Sequence, residues 1–528
     1  MIQRILTLLR VRIHTLRVLM RVILHDERFE VYFDIYVNCS GFLRRTYAET
    51  VYRLALIIHL PWPRAHMWRA TRVSAQLGKI IASHSYTKLL ADIYYDKAKN
   101  DLELLWSSPE FCVEAAALHA SNALFTGRSD EWICGVLREY SYQERRAAGA
   151  GGANLGLRVL EPSFSVLRTI GHTMHIDGLI KGGIIGVRPP FRVVLLVQPW
   201  LKRFVVNTCL LDYWRPYIDV IEDPQELASL QPLAKALAFN LHGVTPHGSR
   251  LIPFSISSVV ETQLQWEKEG RQPLLQLTSD HRERGISAME RWGVPRGSWF
   301  VTMHVRSGTN KGAELYRDST LDNYCEAVSI ITSAGGWVIR MGDASMVPMP
   351  IMKNVVDYAH EPAKADWLDV FLCAAARFMI GTSSGLTTVS YSFGVPIAMT
   401  NCLPTASIYL RKQDIFLPRL MRSRANGQIL SLSKIMGLPY SMGINDGMYR
   451  NILGVETIEN SAGEISDLVS EMLNVLDGNT QYSAEDERLQ QTFKTITVER
   501  ETLVGSGGVA LPARIGQGFL RNHRTLLN

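Results

Sequence analysis

Four short stretches hold the side chains that could do chemistry. "GTSSG" (Gly381–Gly385) fits G-x-S-x-G, the pattern that exposes a serine nucleophile, here Ser383, on a strand-to-helix turn. The same residues also read as a polar turn, in which Thr382, Ser383, Ser384 and the amide of Gly385 meet a phosphate or a sugar hydroxyl at a helix start. "HVRSGTNKGAEL" follows an apolar run and places His304 and Arg306 two apart, on one face of a strand. An imidazole beside a guanidinium fork suits a diphosphate. "IRMGD" carries Arg340 and Asp343 to another strand end, as donor-site residues or as a structural ion pair. "GHTMHID" offers His172, His175 and Asp177, each of them a cleft residue or a core or capping residue.

The order of residues decides between the two readings of "GTSSG". Hydrolases with this motif place an acid and then a histidine after the serine. The only histidine after Ser383 is His523, in a stretch with little helix or strand pattern. The polar-turn reading is therefore preferred. No D-x-D sequence is present, which argues against a transferase that clamps a diphosphate through divalent ions.

The elements that position these residues alternate. From "FSVLRTIG", expected to end in a strand, the pattern runs through "FRVVLLVQP" and "IDVIE" as strands with "HIDGLIKGGIIG" and "NTCLLDYWRPY" as helices between them. A second series follows, with "SWFVTMHVR", "WVIRMG", "NVVDYA", "RFMIGT" and "PIAMTN" as strands. Apolar strands separated by helices predict parallel sheets covered on both faces. The fold class is thus α/β: two Rossmann-like modules facing a cleft, over 157–293 and 294–480, preceded by a helical N-terminal region. Residues 481–528 read as a tail.

A chain of 528 residues with 47% hydrophobic and 20% charged residues is globular and of several domains. A net charge of +6 is mild, and no nucleic-acid-binding pattern accompanies it. Seven scattered cysteines without C-x-x-C favour reduced thiols and a cytoplasmic location. Residues 1–28 read as a basic amphipathic helix, whose spacing would put Gln3, Thr7, Arg10, His14, Arg17 and Arg21 on one stripe. Such a helix lies on a membrane surface through residues 1–25 or docks on its own protein, with a mitochondrial presequence the weaker third reading because the segment is poor in serine. Residues 29–146 read as a helical accessory region and 147–156, rich in Ala and Gly, as a linker.

"HVRSGTNKGAELY" resembles the HxRR-type motif of the α1,2/α1,6-fucosyltransferase and protein O-fucosyltransferase superfamily, which in α1,6 enzymes reads HVRRTDK-x-GTE. "DWLDVFLCAAARFMIGTSSGLTTVSYSFG" resembles that superfamily's later donor-binding motif. Over roughly residues 165 to 480 the chain is more closely similar to a bacterial glycosyltransferase family of GT-B-like fold, sharing phrases such as "GGWVIRMGD". The resemblance implies that His304 and Arg306 bind the donor diphosphate and that Asp366 or Asp369 lies near the base or ribose. It implies that Thr382, Ser383 and Ser384 touch the nucleotide phosphates or the sugar, and that Glu314 is the general base. Two departures stand out, since Ser307 replaces the motif's second arginine and "GTN" replaces "TDK".

The expected activity is a metal-independent, inverting glycosyl transfer from a nucleotide-diphosphate sugar, GDP-fucose being one candidate, to a glycan or lipid-linked acceptor. No cofactor or metal is expected beyond that co-substrate. Leaving-group charge would then be met by Arg306 and the 382–385 turn, where a single such donor contributes about 3 kcal/mol. Catalytic candidates are Glu314, with His172 as an alternative base. A serine hydrolase working through Ser383 and a non-catalytic sugar-binding protein are the competing classes.

Overall fold

The computed structural model describes residues 157–159, 167–187, 192–234, 244–247, 250–253, 256–307, 315–403, 405, 410–437, 440, 441, 449, 450, 453–503 and 511–527, together with Ala116 and Arg138. The expected basic helix over 1–28, the linker over 147–156 and, Ala116 and Arg138 apart, the helical region over 29–146 lie outside the described residues. The chain divides into two compact units, one of Met1–Trp132, Gly312–Leu315 and Ile444–Glu456, the other of Ile133–Lys311, Tyr316–Gly443 and Thr457–Asn528. Glu314 falls in the first unit, and the described residues of the site below belong to the second. Among the described residues no helix is long and apolar enough to cross a membrane.

The first sheet is parallel and three-stranded, in the order β1 (Leu157–Val159), β2 (Arg192–Leu196), β3 (Asp219–Ile221). The Val-Val-Leu-Leu run of β2 is buried, as a strand covered on both faces must be. Helices α1 (Met174–Ile184), α2 (Thr208–Trp214) and α3 (Pro224–Ala234) accompany it. Asn207 starts α2 by accepting from the Leu210 amide at 2.8 Å. The strand expected in "FSVLRTIG" does not form over its described residues. Leu167 and Arg168 are helical, and Ile170–Thr173 is a 3-10 turn. The Thr173 hydroxyl bonds back to the Ile170 carbonyl at 2.7 Å, which favours a turn over a ladder.

A hairpin of β4 (Val244–His247) and β5 (Arg250–Pro253) and helices α4 (Ile256–Lys268) and α5 (Ser279–Glu290) lead to the second series. That series comprises β6 (Phe300–His304), α6 (Cys325–Ser333), β7 (Trp337–Arg340), β8 (Val355–Val356), α7 (Asp366–Ala375), β9 (Met379–Gly381), α8 (Gly385–Ser392) and β10 (Ile397–Cys402). It continues with β11 (Ile415–Pro418), β12 (Leu420–Ser423), α9 (Leu432–Met436), β13 (Val455–Ile458), α10 (Ala462–Leu476), α11 (Ala484–Leu503), β14 (Arg514–Ile515) and α12 (Gln517–Asn522). Seven of these strands form one parallel sheet in the order β14-β11-β10-β9-β6-β7-β8. Its central strands β6, β9 and β10 are buried at every position.

The segment after 480 differs from its expected form as a tail. It builds α11, α12 and the edge strand β14, which pairs with β11. Asp486, only 2% exposed, holds it by binding the Arg521 guanidinium through both carboxylate oxygens at 2.6 Å. The charged sequence of α11 hides this, because little of it alternates with apolar residues.

Helix α5 crosses α7 at Gly285, where an added Cβ would stand 2.2 Å from the Phe371 ring. Gly285→Ala should therefore destabilise the fold by about 2 kcal/mol through overpacking, despite the better helix propensity of alanine. Gly463→Ala in α10, with nothing within 4 Å, should be neutral or stabilising. Urea denaturation of the two variants checks the contrast.

Candidate functional site

Strand order locates the site. From β6 the sheet grows through β7 and β8 in one direction and through β9, β10, β11 and β14 in the other. In such sheets ligands bind outside the carboxyl ends of the strands where the order reverses, which here is between β6 and β9. His304 closes β6 and pairs in register with Gly381, the last residue of β9. The Thr382 amide then donates to the His304 carbonyl at 3.2 Å. The two principal motifs thus emerge side by side at the reversal.

His304 is 7% exposed, and burial, helped by the Arg340 and Arg306 charges, pulls its imidazole down to about 4. It is neutral at physiological pH. Its Nδ1 and the hydroxyl of Thr382, itself fully buried, are without a hydrogen-bond partner among the described residues. Buried polar atoms are ordinarily satisfied, so the end of the β6–β9 pair carries two groups whose bonding capacity is in reserve.

Arg306 is held by Asp318, Nε to Oδ1 3.2 Å, and its carbonyl accepts from the Ser319 amide at 2.8 Å. Arg419 is 4% exposed and donates to the carbonyls of Tyr316 and Asp318 at 2.8 and 2.6 Å. Arg317, in turn, donates to the Ser383 carbonyl. The residues returning from the loop after β6 are therefore clamped to the turn after β9. Arg317 and Arg419 escaped the sequence reading as site residues because no motif around either of them points to a ligand.

At α8 the N-cap residue Ser384 makes no side-chain bond to the helix backbone, and its hydroxyl meets that of Thr387 at 3.2 Å. Thr387 in turn donates to the Thr382 carbonyl at 3.0 Å, which fixes the turn from inside. Ser383 has a negative φ, and its hydroxyl lies 3.9 Å from the sulfurs of Met399 and Cys402. No imidazole bonds to it among the described residues, and His523 binds Glu464 at 2.6 Å. The strained turn and base of a nucleophile elbow are not assembled here.

The first module reaches the same turn. In the Ile170–Thr173 segment, a Cβ on Gly171 would stand 3.1 Å from the Gly385 Cα, and one on Gly385 would stand 2.3 Å from Ile170 Cγ2. His172 is thereby carried, half-buried, to the edge of "GTSSG". Asp177 is not a cleft residue: it is 1% exposed and ion-paired with Lys181 at 2.6 Å inside α1. The side chain of His175 lies outside the described residues.

Other candidates are placed differently from the sequence reading. Arg340 is fully buried and binds Asp357 Oδ1 at 3.2 Å and the Val347 carbonyl at 2.9 Å, the structural alternative for this residue. It does not pair with Asp343, which accepts from the Ser345 amide at 2.9 Å. Asp366 accepts from the Thr208 amide and hydroxyl at 2.8 and 3.1 Å, and so caps α2 of the first module. Asp369 pairs with Lys364 at 2.7 Å, with burial pushing its carboxyl up. Glu314 lies outside the described residues.

No protein-family model matches the chain, and no curated protein matches it in sequence. A solved structure, "The crystal structure of the glycosyl transferase family 9 from Veillonella parvula DSM 2008", is similar at 11% identity and a TM-score of 0.33, over 60% of this chain and 96% of that one.

The burial of His304 has a pH signature. Its folded value of about 4 lies below the ordinary 6.5, so folding favours the neutral ring. That contribution, about 3 kcal/mol, is in place above pH 6.5 and is lost as pH falls toward 4. His304→Gln should flatten this part of the stability profile, as read from urea midpoints between pH 7 and pH 4.5.

Proposed function

We propose that this chain is a glycosyltransferase that binds a nucleotide-diphosphate sugar at the reversal of the seven-stranded sheet. The observation that carries the reading is the meeting of His304, Arg306 and the 382–385 turn at the β6–β9 switch point, where dinucleotide and nucleotide folds hold their ligands. The diphosphate would take the Arg306 guanidinium, the free first-turn amides of α8 and the Thr382 hydroxyl. Neutral His304 would donate one hydrogen bond without adding charge. These fixed donors would stabilise the departing nucleoside diphosphate as the sugar carbon passes through an oxocarbenium-like state.

A base on the acceptor side would complete an inverting transfer. Glu314 fills that role in the resemblance, and His172, brought to the turn by the Gly171–Gly385 contact, is the second candidate. A glycan or lipid-linked glycan is the acceptor in this reading, and GDP-fucose one donor to be tried. The protein would act in the cytoplasm, with residues 1–25 as a contact for a membrane surface. Nothing in its charge or motifs calls for nucleic acid or a metal.

A thermal-shift panel of GDP-, UDP- and dTDP-sugars tests the reading, since a bound donor raises stability by mass action. Arg306→Gln should weaken the stabilising donor about tenfold or more, the usual cost of losing a charged hydrogen bond. Ser383→Ala should retain measurable transfer, and a fluorophosphonate should leave Ser383 unlabelled. Stoichiometric labelling of Ser383, or donor affinity unchanged in the Arg306 variant, would overturn the assignment in favour of the hydrolase or of a different site.

A further inference from the structure

The loop that leaves the carboxyl end of β2, residues 198–206, exposes large apolar side chains. Trp200 is 56% exposed and Val206 46% exposed, whereas Leu201 between them is buried and anchors the loop. Trp200 meets Phe204 edge to face, with ring centroids 6.3 Å apart at 77°, so the indole is held in place although it faces solvent. Arg203 lies over the Phe204 ring at 4.7 Å, and both Lys202 and Arg203 are exposed beside it. An exposed aromatic cluster rimmed by cations is the composition of an interaction surface, not of an idle loop.

The position of the loop names its occupant. The Val206 amide donates to the Leu167 carbonyl at 2.9 Å, which joins the loop to the segment that carries Gly171 and His172 to the "GTSSG" turn. The next residues, Asn207 and Thr208, are bonded to Asp366 at the start of α7, on the carboxyl edge of the large sheet. The far end of the loop is thus tied to the segments that position the donor turn, and the loop lies on the module that does not carry that turn. We infer that residues 198–206 are the acceptor platform, on which a sugar ring stacks against Trp200 while an acidic group on the same saccharide meets Arg203, Lys202 being paired with Glu222 at 3.8 Å. This rests on the transferase reading above and narrows its acceptor to an anionic saccharide chain. The flat apolar face of a pyranose matches an indole, and the Arg203 cation selects against neutral chains.

The test is calorimetric titration of the full chain with oligogalacturonate, oligosialate and heparin-derived oligosaccharides, and with maltotetraose as the neutral comparator. At least one acidic oligosaccharide should bind tenfold or more tightly than maltotetraose at low salt. Trp200→Ala should cost that binding tenfold or more without moving the thermal midpoint, since the ring is largely exposed. Arg203→Gln should remove the preference for the acidic chain. Three results each overturn the proposal: no acidic oligosaccharide binds, binding survives in the Trp200 variant, or neutral and acidic chains bind alike. Loss in the Trp200 variant of sedimentation with phosphatidylglycerol vesicles, while saccharide binding is untouched, would instead make the loop a membrane contact. Donor binding is read separately by the Arg306 variant. Its failure removes the transferase reading even if saccharide binds at Trp200, and its success leaves that reading standing if saccharide does not.

Discussion

The approach of Gly171 to Gly385 is the constraint on which the site depends. Two backbones meet there without side chains between them, and either Cβ would force them apart. Around that contact the modules are tied by polar links: Asp366 to the α2 start, Tyr213 to His281 Nδ1 at 2.8 Å, and His281 Nε2 to the Trp367 carbonyl at 2.7 Å. His281 donates through Nε2 to the Trp367 carbonyl, its neutral ring can accept the Tyr213 hydroxyl through Nδ1, and burial lowers its affinity for a proton. The outcome is a turn after β9 whose position is set from both modules and not by its own sheet alone.

Within the larger sheet the same rigidity is built from amides. Asn401 and Asn460, each 1% exposed, bond reciprocally through side chain and backbone at 2.6 and 2.7 Å. Asn401 also reaches the Tyr324 hydroxyl at 3.2 Å, and that hydroxyl lies 2.6 Å from Thr400 Oγ1. Asn401 has a φ of 49°, a left-handed conformation that asparagine tolerates better than most residues. A fully satisfied network of this kind specifies one arrangement of the strand ends behind the site.

The alternation of apolar strands and helices was legible in the sequence, because burial on both faces demands continuous runs such as "FRVVLLVQP" and "SWFVTMHVR". The convergence of His304, Arg306 and "GTSSG" was legible too, since all of them follow strands. The roles of Arg340 and Asp366 were not. Their types suited a nucleotide, but their partners, Asp357 and Thr208, are distant in sequence and nothing local marks them. The C-terminal strand was missed for a related reason. Arg514–Ile515 is too short to show a period, and only its pairing with β11 makes it a strand.

That pairing has a temporal side. As the chain is synthesised, β10 and β11 emerge well before residues 514 and 515, so one border of the growing sheet has open amides and carbonyls in the meantime. Open borders of that kind pair readily with other chains. The Asp486–Arg521 link, with its carboxylate buried and also formed by late residues, then locks the closing strand's neighbours in place. A ribosome that stalls between β11 and β14 would release a sheet with an adhesive margin, so the last stretch of the chain protects the rest from self-association as well as completing the fold.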